Sequence, residues 1–491
     1  MTSPRSLEPR TDPAPDWAVL SIVCLGQFMV ILDVSVVNVA LPAIRADLGF
    51  SATGLQWVVN AYTLTFAGFM LLGGRAADLY GRKRIFLLGL GLFTTASLIG
   101  GFAQSETMLI AARAAQGLGG AVLAPATLTI LTTHFRQPQA RARALGIWSA
   151  VAAGGGAAGA VLGGLLTDVL SWRWILFINV PIGVVGFVAA RIVLGESRNE
   201  DRTGTLDVAG AITVTAGLVV LVYGIVQTET RPWTSPATIA TLALAAVLLG
   251  SFVLIEARIA RSPLMPLRLF RSRSVTGANT VIFLLGAAMF AMWFFLSLYM
   301  QNVLGFSPLQ TGFAFLPQTL AIVVGAQISS RLVARTGPRP LLLVAPLVAA
   351  VGMALLSRIT PDSTYLANIL GPSVLITLSI GLSFTPVTFA ATSGVPMGEA
   401  GLASGLVNTT RQVGGSIGLA ALATLAADTT LALTPAGRAP SAAALTAGFA
   451  KAFSASVWLL VGSAAAATIL PSWKGRSRGG DVAASPTPRR P

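Results

Sequence analysis

Charged residues are scarce in this chain: Asp, Glu, Lys and Arg make up 10% of its 491 residues, where soluble domains carry about 25%. That deficit excludes an ordinary water-soluble domain. Cysteine is limited to Cys24 and histidine to His134, in an expected loop. An intramolecular disulfide and any metal site built on several Cys ligands are thereby excluded. With one of each, far apart in sequence, no nucleophile–base pair or metal cluster is visible, so no enzyme, metal or cofactor is expected. Lysine is limited to Lys83, Lys451 and Lys474 against 30 arginines, a bias that suggests a GC-rich bacterial genome. No nucleic-acid motif accompanies the net charge of +15, and neither tail is long enough for an appended signalling domain.

What the chain has instead is apolar length. It is 54% hydrophobic, with mean hydropathy +0.76, and stretches able to cross ~30 Å of hydrocarbon recur from end to end. The 51 glycines suit helices that approach closely in a membrane. The expected fold class is an all-α polytopic membrane protein. Fourteen spans are predicted, near 18–42, 52–73, 84–103, 107–131, 143–166, 172–194, 206–227, 236–256, 274–300, 309–333, 340–358, 366–390, 402–425 and 450–470. With both termini inside, 25 basic residues fall on the cytoplasmic side and six outside, and Arg113 and Arg411 lie within spans. This asymmetry follows the positive-inside rule. The net charge therefore describes membrane topology.

Asp33 lies deep in the first span, in LSIVCLGQFMVILDVSVVNVALPAI. A charge at the bilayer centre costs at least ~2.5 kcal/mol, and such residues usually serve ion or substrate movement. At 1.5 Å per residue, Asp33 is ~21 Å from the cytoplasmic face and Arg113, on the antiparallel fourth span, ~20 Å. The depths match, which makes an ion pair the leading reading; the alternative is a structural arginine bonded to helix carbonyls. Arg113, Gln116, Gly117 and Gly120 share one helix face. Arg411 lies near the midplane of the thirteenth span beside Asn408 and Gln412, bonded either to carbonyls or exposed to a cavity. If exposed, it would disfavour dicationic substrates.

Several motifs then carry a resemblance. Residues 73–84 read GGRAADLYGRKR, in which Gly74, Asp78, Gly81, Arg82 and Lys83 match the G-x-x-x-D-x-x-G-[RK]-[RK] loop of the major facilitator superfamily. LDVSVVNVALP (32–42), RAAQGLGGA (113–121), WRWILFINVPIG (172–183) and YMQNVLGFSPLQTG (299–312) extend it, and the chain resembles the fourteen-helix drug:proton antiporters. Two departures stand out. Ala160 takes the place of the proline in the fifth-helix G-P-x-x-G-G pattern. In RLVARTGPRP (331–340), Ala334 falls where the second-half loop would carry an acid.

The resemblance implies a major facilitator fold: a tail at 1–16, a six-helix half at 17–200, an inserted hairpin at 201–260, a second half at 261–471 and a tail at 472–491. Both tails are expected to be disordered. It also implies a proton-coupled secondary transporter exporting amphipathic small molecules such as drugs, antibiotics or related metabolites by alternating access. The alternatives are a proton-coupled importer or a dedicated exporter of one endogenous metabolite. Asp33 and Arg113 would couple protons, with the proton motive force as energy source and no cofactor. Residues 74, 78 and 81–83 would form a cytoplasmic gate loop. The cavity in this superfamily is lined by the first, second, fourth and fifth helices of each half. Candidate contacts are thus Met29, Trp57, Asn60, Tyr62, Phe290, Trp293, Phe294, Asn408, Arg411 and Gln412, with Gln301 near an outer end. Expected partners are a small-molecule substrate, protons and the lipid bilayer, without nucleic acid, for a monomer in a bacterial inner (plasma) membrane.

Overall fold

A computed structural model describes residues 15–135, 137–197, 205–393, 395–396 and 399–472. The expected tails lie almost wholly outside the described residues. Among those residues, fourteen helices are long and apolar enough to cross a membrane. The first six are α1 (Asp16–Leu48), α2 (Gly54–Tyr80), α3 (Arg82–Gly101), α4 (Glu106–His134), α5 (Gln139–Val169) and α6 (Trp174–Val193). Then follow α7 (Val208–Val226) and α8 (Pro236–Ile259). The last six are α9 (Arg273–Asn302), α10 (Pro308–Thr336), α11 (Pro338–Leu356), α12 (Tyr365–Ser393), α13 (Ala400–Ala432) and α14 (Ala442–Ile469). A backbone surrounded by lipid must satisfy its own hydrogen bonds, and the helix does so within one segment. Four helices that begin on the side away from the termini, α4, α8, α10 and α14, are each capped by a serine: Ser105, Ser235, Ser307 and Ser441. Each hydroxyl accepts a hydrogen bond from an amide in the first turn, which otherwise has no partner within the helix.

Packing repeats with a period of eight helices. In the first half α1 packs on α5, α2 on α4, α3 on α4 and α6, and α1 on α6. The same pairs recur as α9 on α13, α10 on α12, α11 on α12 and α14, and α9 on α14. The chain is therefore two six-helix halves with the α7–α8 hairpin inserted between them. The halves meet along α2–α13, α5–α10 and α1–α9.

The hairpin breaks this symmetry. α7 lies against both α2 and α13, covering one seam, where Leu64, Leu218, Val222 and Ala420 form a small core. Its foot is tied down as well: the Glu256 carboxylate accepts hydrogen bonds from the Leu264 and Met265 amides at 3.2 and 3.0 Å. The α5–α10 seam has no comparable cover among the described residues.

Candidate functional site

Asp33 and Arg113 meet inside the first half. Both are sealed from solvent, at 0% and 2% exposure. Arg113 Nη1 donates to Asp33 Oδ2 at 2.5 Å and to Gln116 Oε1 at 3.0 Å, and its Nε donates to the Val58 carbonyl at 3.0 Å. Asp33 Oδ1 accepts from Gln116 Nε2 and from Asn179 Nδ2, both at 3.0 Å. Gln116 Nε2 also reaches Ser97 Oγ at 2.6 Å. The guanidinium stacks on the Tyr62 ring, 4.5 Å from its centroid. α1, α2, α3, α4 and α6 thus each contribute a group, so the charges are compensated by geometry as well as by each other. Close approach of α2 and α4 makes this possible. Gly117 sits against the Tyr62 carbonyl, where a side chain would collide.

Beside this pair lies a cavity of about 980 Å³ between the halves. From α1 it takes Val30, Ile31, Val34 and Asn38; from α2, Tyr62, Phe66 and Met70; from α9 and α10, Phe290, Trp293 and Phe315. Asn408, Arg411 and Gln412 of α13 supply polar surface. The lining continues to Asp78, Thr132 and Glu399 at the end that carries the chain termini. Opposite that end the halves are in contact. Ser297 Oγ donates to the Asn38 carbonyl at 2.6 Å, and Gln301 Nε2 donates to the Val39 carbonyl at 2.9 Å. Gly312 of α10 presses on the Ala160 carbonyl of α5, where no side chain would fit. The cavity is therefore open toward the terminal side and closed on the far side.

Four expected cavity residues lie elsewhere. Met29 is one turn from Asp33 and shares its face, which turns into the first half, so it packs in that core with Phe86 and Phe93. Trp57 packs on the hairpin core instead. Asn60 is buried and donates to Gln56 Oε1 at 3.3 Å. Phe294 packs edge-on against Phe295, with ring centroids 5.4 Å apart, inside the second half. In each case the side chain's position around its helix axis turns it away from the cavity, and Trp57 also sits in the first turn of α2, at the closed end. His134, expected in a loop, ends α4 and contacts Asp16 Oδ1 at 2.9 Å.

Comparison with known proteins agrees with this architecture. The sequence profile of the Major Facilitator Superfamily matches residues 23–419. The chain belongs to the major facilitator superfamily. It is 45% identical to the cephamycin export protein of Amycolatopsis lactamdurans, covering 96% of both chains. It is 40% identical to the puromycin resistance protein of Streptomyces alboniger, over 98% of this chain and 96% of that one. Identity to the tetracenomycin C resistance and export protein of Streptomyces glaucescens is 35%, over 84% and 76%. Among solved structures, a peptide transporter superposes with TM-score 0.67 at 15% identity, covering 93% of this chain and 97% of that one. A D-xylose–proton symporter superposes with TM-score 0.65 at 12% identity, covering 94% and 99%. The protein is a multi-pass membrane transporter of a small molecule, not an enzyme.

In this transporter the loop between α2 and α3 is held by a residue that sequence reasoning missed. Glu196, just after α6, accepts from the Lys83 and Arg84 amides at 3.2 and 3.3 Å, where the N-terminus of α3 favours an anion. Gly81 has φ +105°, and a Cβ there would come within 2.5 Å of Glu196 Oε1. Arg82 pairs with Asp78 at 3.5 Å and reaches Ser197 Oγ at 3.3 Å; Lys83 Nζ donates to the Arg191 carbonyl at 2.8 Å. Gly74 and Asp78 line the cavity rather than the loop's outer surface. Asn179 and Ser97 were also missed as partners of the buried pair. The one available signal was an asparagine inside the apolar run WRWILFINVPIG.

Proposed function

We propose that this transporter is a proton-coupled exporter of amphipathic small molecules, antibiotics or related metabolites among them. It would work as a monomer in a bacterial plasma membrane, with both termini cytoplasmic and the proton motive force as energy source. The names of its relatives support export, and the 25 basic residues assigned to the terminal side against six on the far side support the orientation. On that reading the structure is the inward-facing state, with its outer side closed by the Asn38, Val39 and Gly312 contacts.

The observation that carries the coupling is the sealed Asp33–Arg113 pair, separated from the cavity by Tyr62. Tyr62 is the described residue that both lines the cavity and stacks on Arg113. As a carboxylate, Asp33 is matched to the donors around it. Outside, a proton entering Asp33 would neutralise it and leave Arg113 to the Val58 carbonyl, Gln116 Oε1 and the Tyr62 ring. The amides of Gln116 and Asn179 can serve either state, because each holds a donor and an acceptor. Asn179 Oδ1 is buried without a partner, and rotation of the amide would turn it to accept from a protonated Asp33. Inside, release of the proton would restore the pair, and loading of the cavity would shift Tyr62 and the helices it joins. Each proton entering gains ~2.3 kcal/mol per 100 mV of membrane potential.

The test is accumulation of a cephamycin in everted vesicles under an imposed proton gradient, comparing wild type with Asp33→Asn. Gradient-driven accumulation should be lost in the variant. Accumulation that persists unchanged would sink the coupling, and uptake into intact cells instead of everted vesicles would establish import.

A further inference from the structure

We propose that Arg411 is an anchor for the negatively charged head group, a carboxylate in the first instance, of an amphipathic substrate; this deepens the transport reading above and rests on it. Arg411 lines the cavity and is half-buried in α13, deep between the halves. Among the described residues its guanidinium forms no ion pair and no hydrogen bond. Its one partner is the face of Phe384, 5.9 Å from the ring centroid. A guanidinium carries five N–H donors in a planar fork suited to a carboxylate, and here they face the cavity with no protein acceptor among the described residues.

No acid is placed to neutralise it. The two acids of the lining sit at the mouth, where Asp78 is paired with Arg82 and Glu399 with Arg268. Asp33 is sealed behind Tyr62 and committed to Arg113. The depth of the cavity therefore carries one positive charge without a counter-ion.

The rest of the wall is consistent with such a ligand: Tyr62, facing Arg411 from the opposite half, lines it with no charge of its own, its hydroxyl being sealed against α4. Asn408 and Gln412 flank Arg411 on the cavity wall. The remainder, Phe66, Met70, Phe290, Trp293 and Phe315, offers adaptable apolar surface for the body of the molecule. An anionic amphiphile satisfies both surfaces at once. A cation would meet Arg411 without compensation, so the cavity selects by repulsion as well as by attraction.

The experiment is direct binding to the full-length transporter in phosphatidylcholine nanodiscs, whose neutral headgroups do not compete for the cation. The probes are matched acids and primary amides, from 1-naphthaleneacetate and its amide to a cephem carboxylate and its amide. No gradient is applied, so the result is independent of whether Asp33 couples protons. Wild type should hold the acids at least ~10-fold more tightly than the amides, about 1.4 kcal/mol. Arg411→Gln should erase that preference while leaving amide affinity within about threefold, and Arg411→Lys should restore most of it. Equal binding of acid and amide by wild type, or a preference that survives in Arg411→Gln, overturns the assignment. Retained preference in an Asp33→Asn variant that no longer accumulates substrate would show the two roles to be separate.

Discussion

Removing both members of the buried ion pair should cost little more than removing either one. In Asp33→Ala the Arg113 charge stays in a site sealed from water, with only the Val58 carbonyl, Gln116 Oε1 and the Tyr62 ring to hold it. Breaking a buried pair in this way costs about 3–5 kcal/mol. In Arg113→Ala the carboxylate keeps its two amide donors, Gln116 and Asn179, and about 4 kcal/mol is again expected. The double variant leaves no stranded charge. Its cost is the lost packing and one or two amide groups without partners, at about 1–3 kcal/mol each, or about 4–5 kcal/mol together. The singles should therefore over-count by about 3 kcal/mol, at the upper end for residues in one network. Reversible unfolding in mixed micelles, read by tryptophan fluorescence for wild type, both singles and the double, measures this directly. A coupling below ~0.5 kcal/mol would mean that the two residues act independently, and the view of the pair as a single switchable unit would fall.

Tyr62→Phe should keep the ring over Arg113 and retain coupled transport, whereas Tyr62→Leu should lose a contact worth about 0.5–2 kcal/mol and admit protons without substrate, read as dye-detected acidification of substrate-free proteoliposomes. Gly81→Ala places a Cβ on Glu196 at φ +105° and should lower stability by about 1–3 kcal/mol, seen as a lower melting temperature with unchanged substrate affinity. Gly312→Leu inserts a side chain at the Ala160 carbonyl and should wedge the far side apart. In a Cys24→Ala background, Thr319→Cys, on the cavity wall, should then react faster with an impermeant maleimide added from outside; an unchanged rate would remove this contact from the gate.

The number of helices and the depth of their charges were legible because both depend on distance along the chain. Spans predicted near 206–227 and 236–256 correspond to Val208–Val226 and Pro236–Ile259, and rise per residue placed Asp33 level with Arg113. Rotation about each helix axis was not legible, since it is set by the partners a helix meets. On α1, one face holds Met29 and Asp33 and the other Val30, Val34 and Asn38; sequence alone does not tell which of these faces the cavity. The same blindness put Trp57 in the cavity rather than under the hairpin. Neutral partners such as Ser97 and Asn179 were hidden for another reason: a polar residue of that size is common enough in membrane helices to carry no signal until its neighbours are known. Arg411 was recognised as anomalous, yet only the packing of α13 against α9 and α2 turns its side chain to the cavity.

The hairpin has a mechanical consequence beyond filling space. Its first helix is laid along one seam only, so the two edges of the molecule answer to different surroundings. Widening at α5–α10 must displace lipid, and its work is set by bilayer thickness and lateral pressure. Widening at α2–α13 must drag or shear α7, and its work is set by side chains such as Leu218 and Val222. The pseudo-twofold axis that relates the halves therefore does not relate the forces on them. Membrane composition and hairpin sequence become two independent controls on the speed of a single rocking motion.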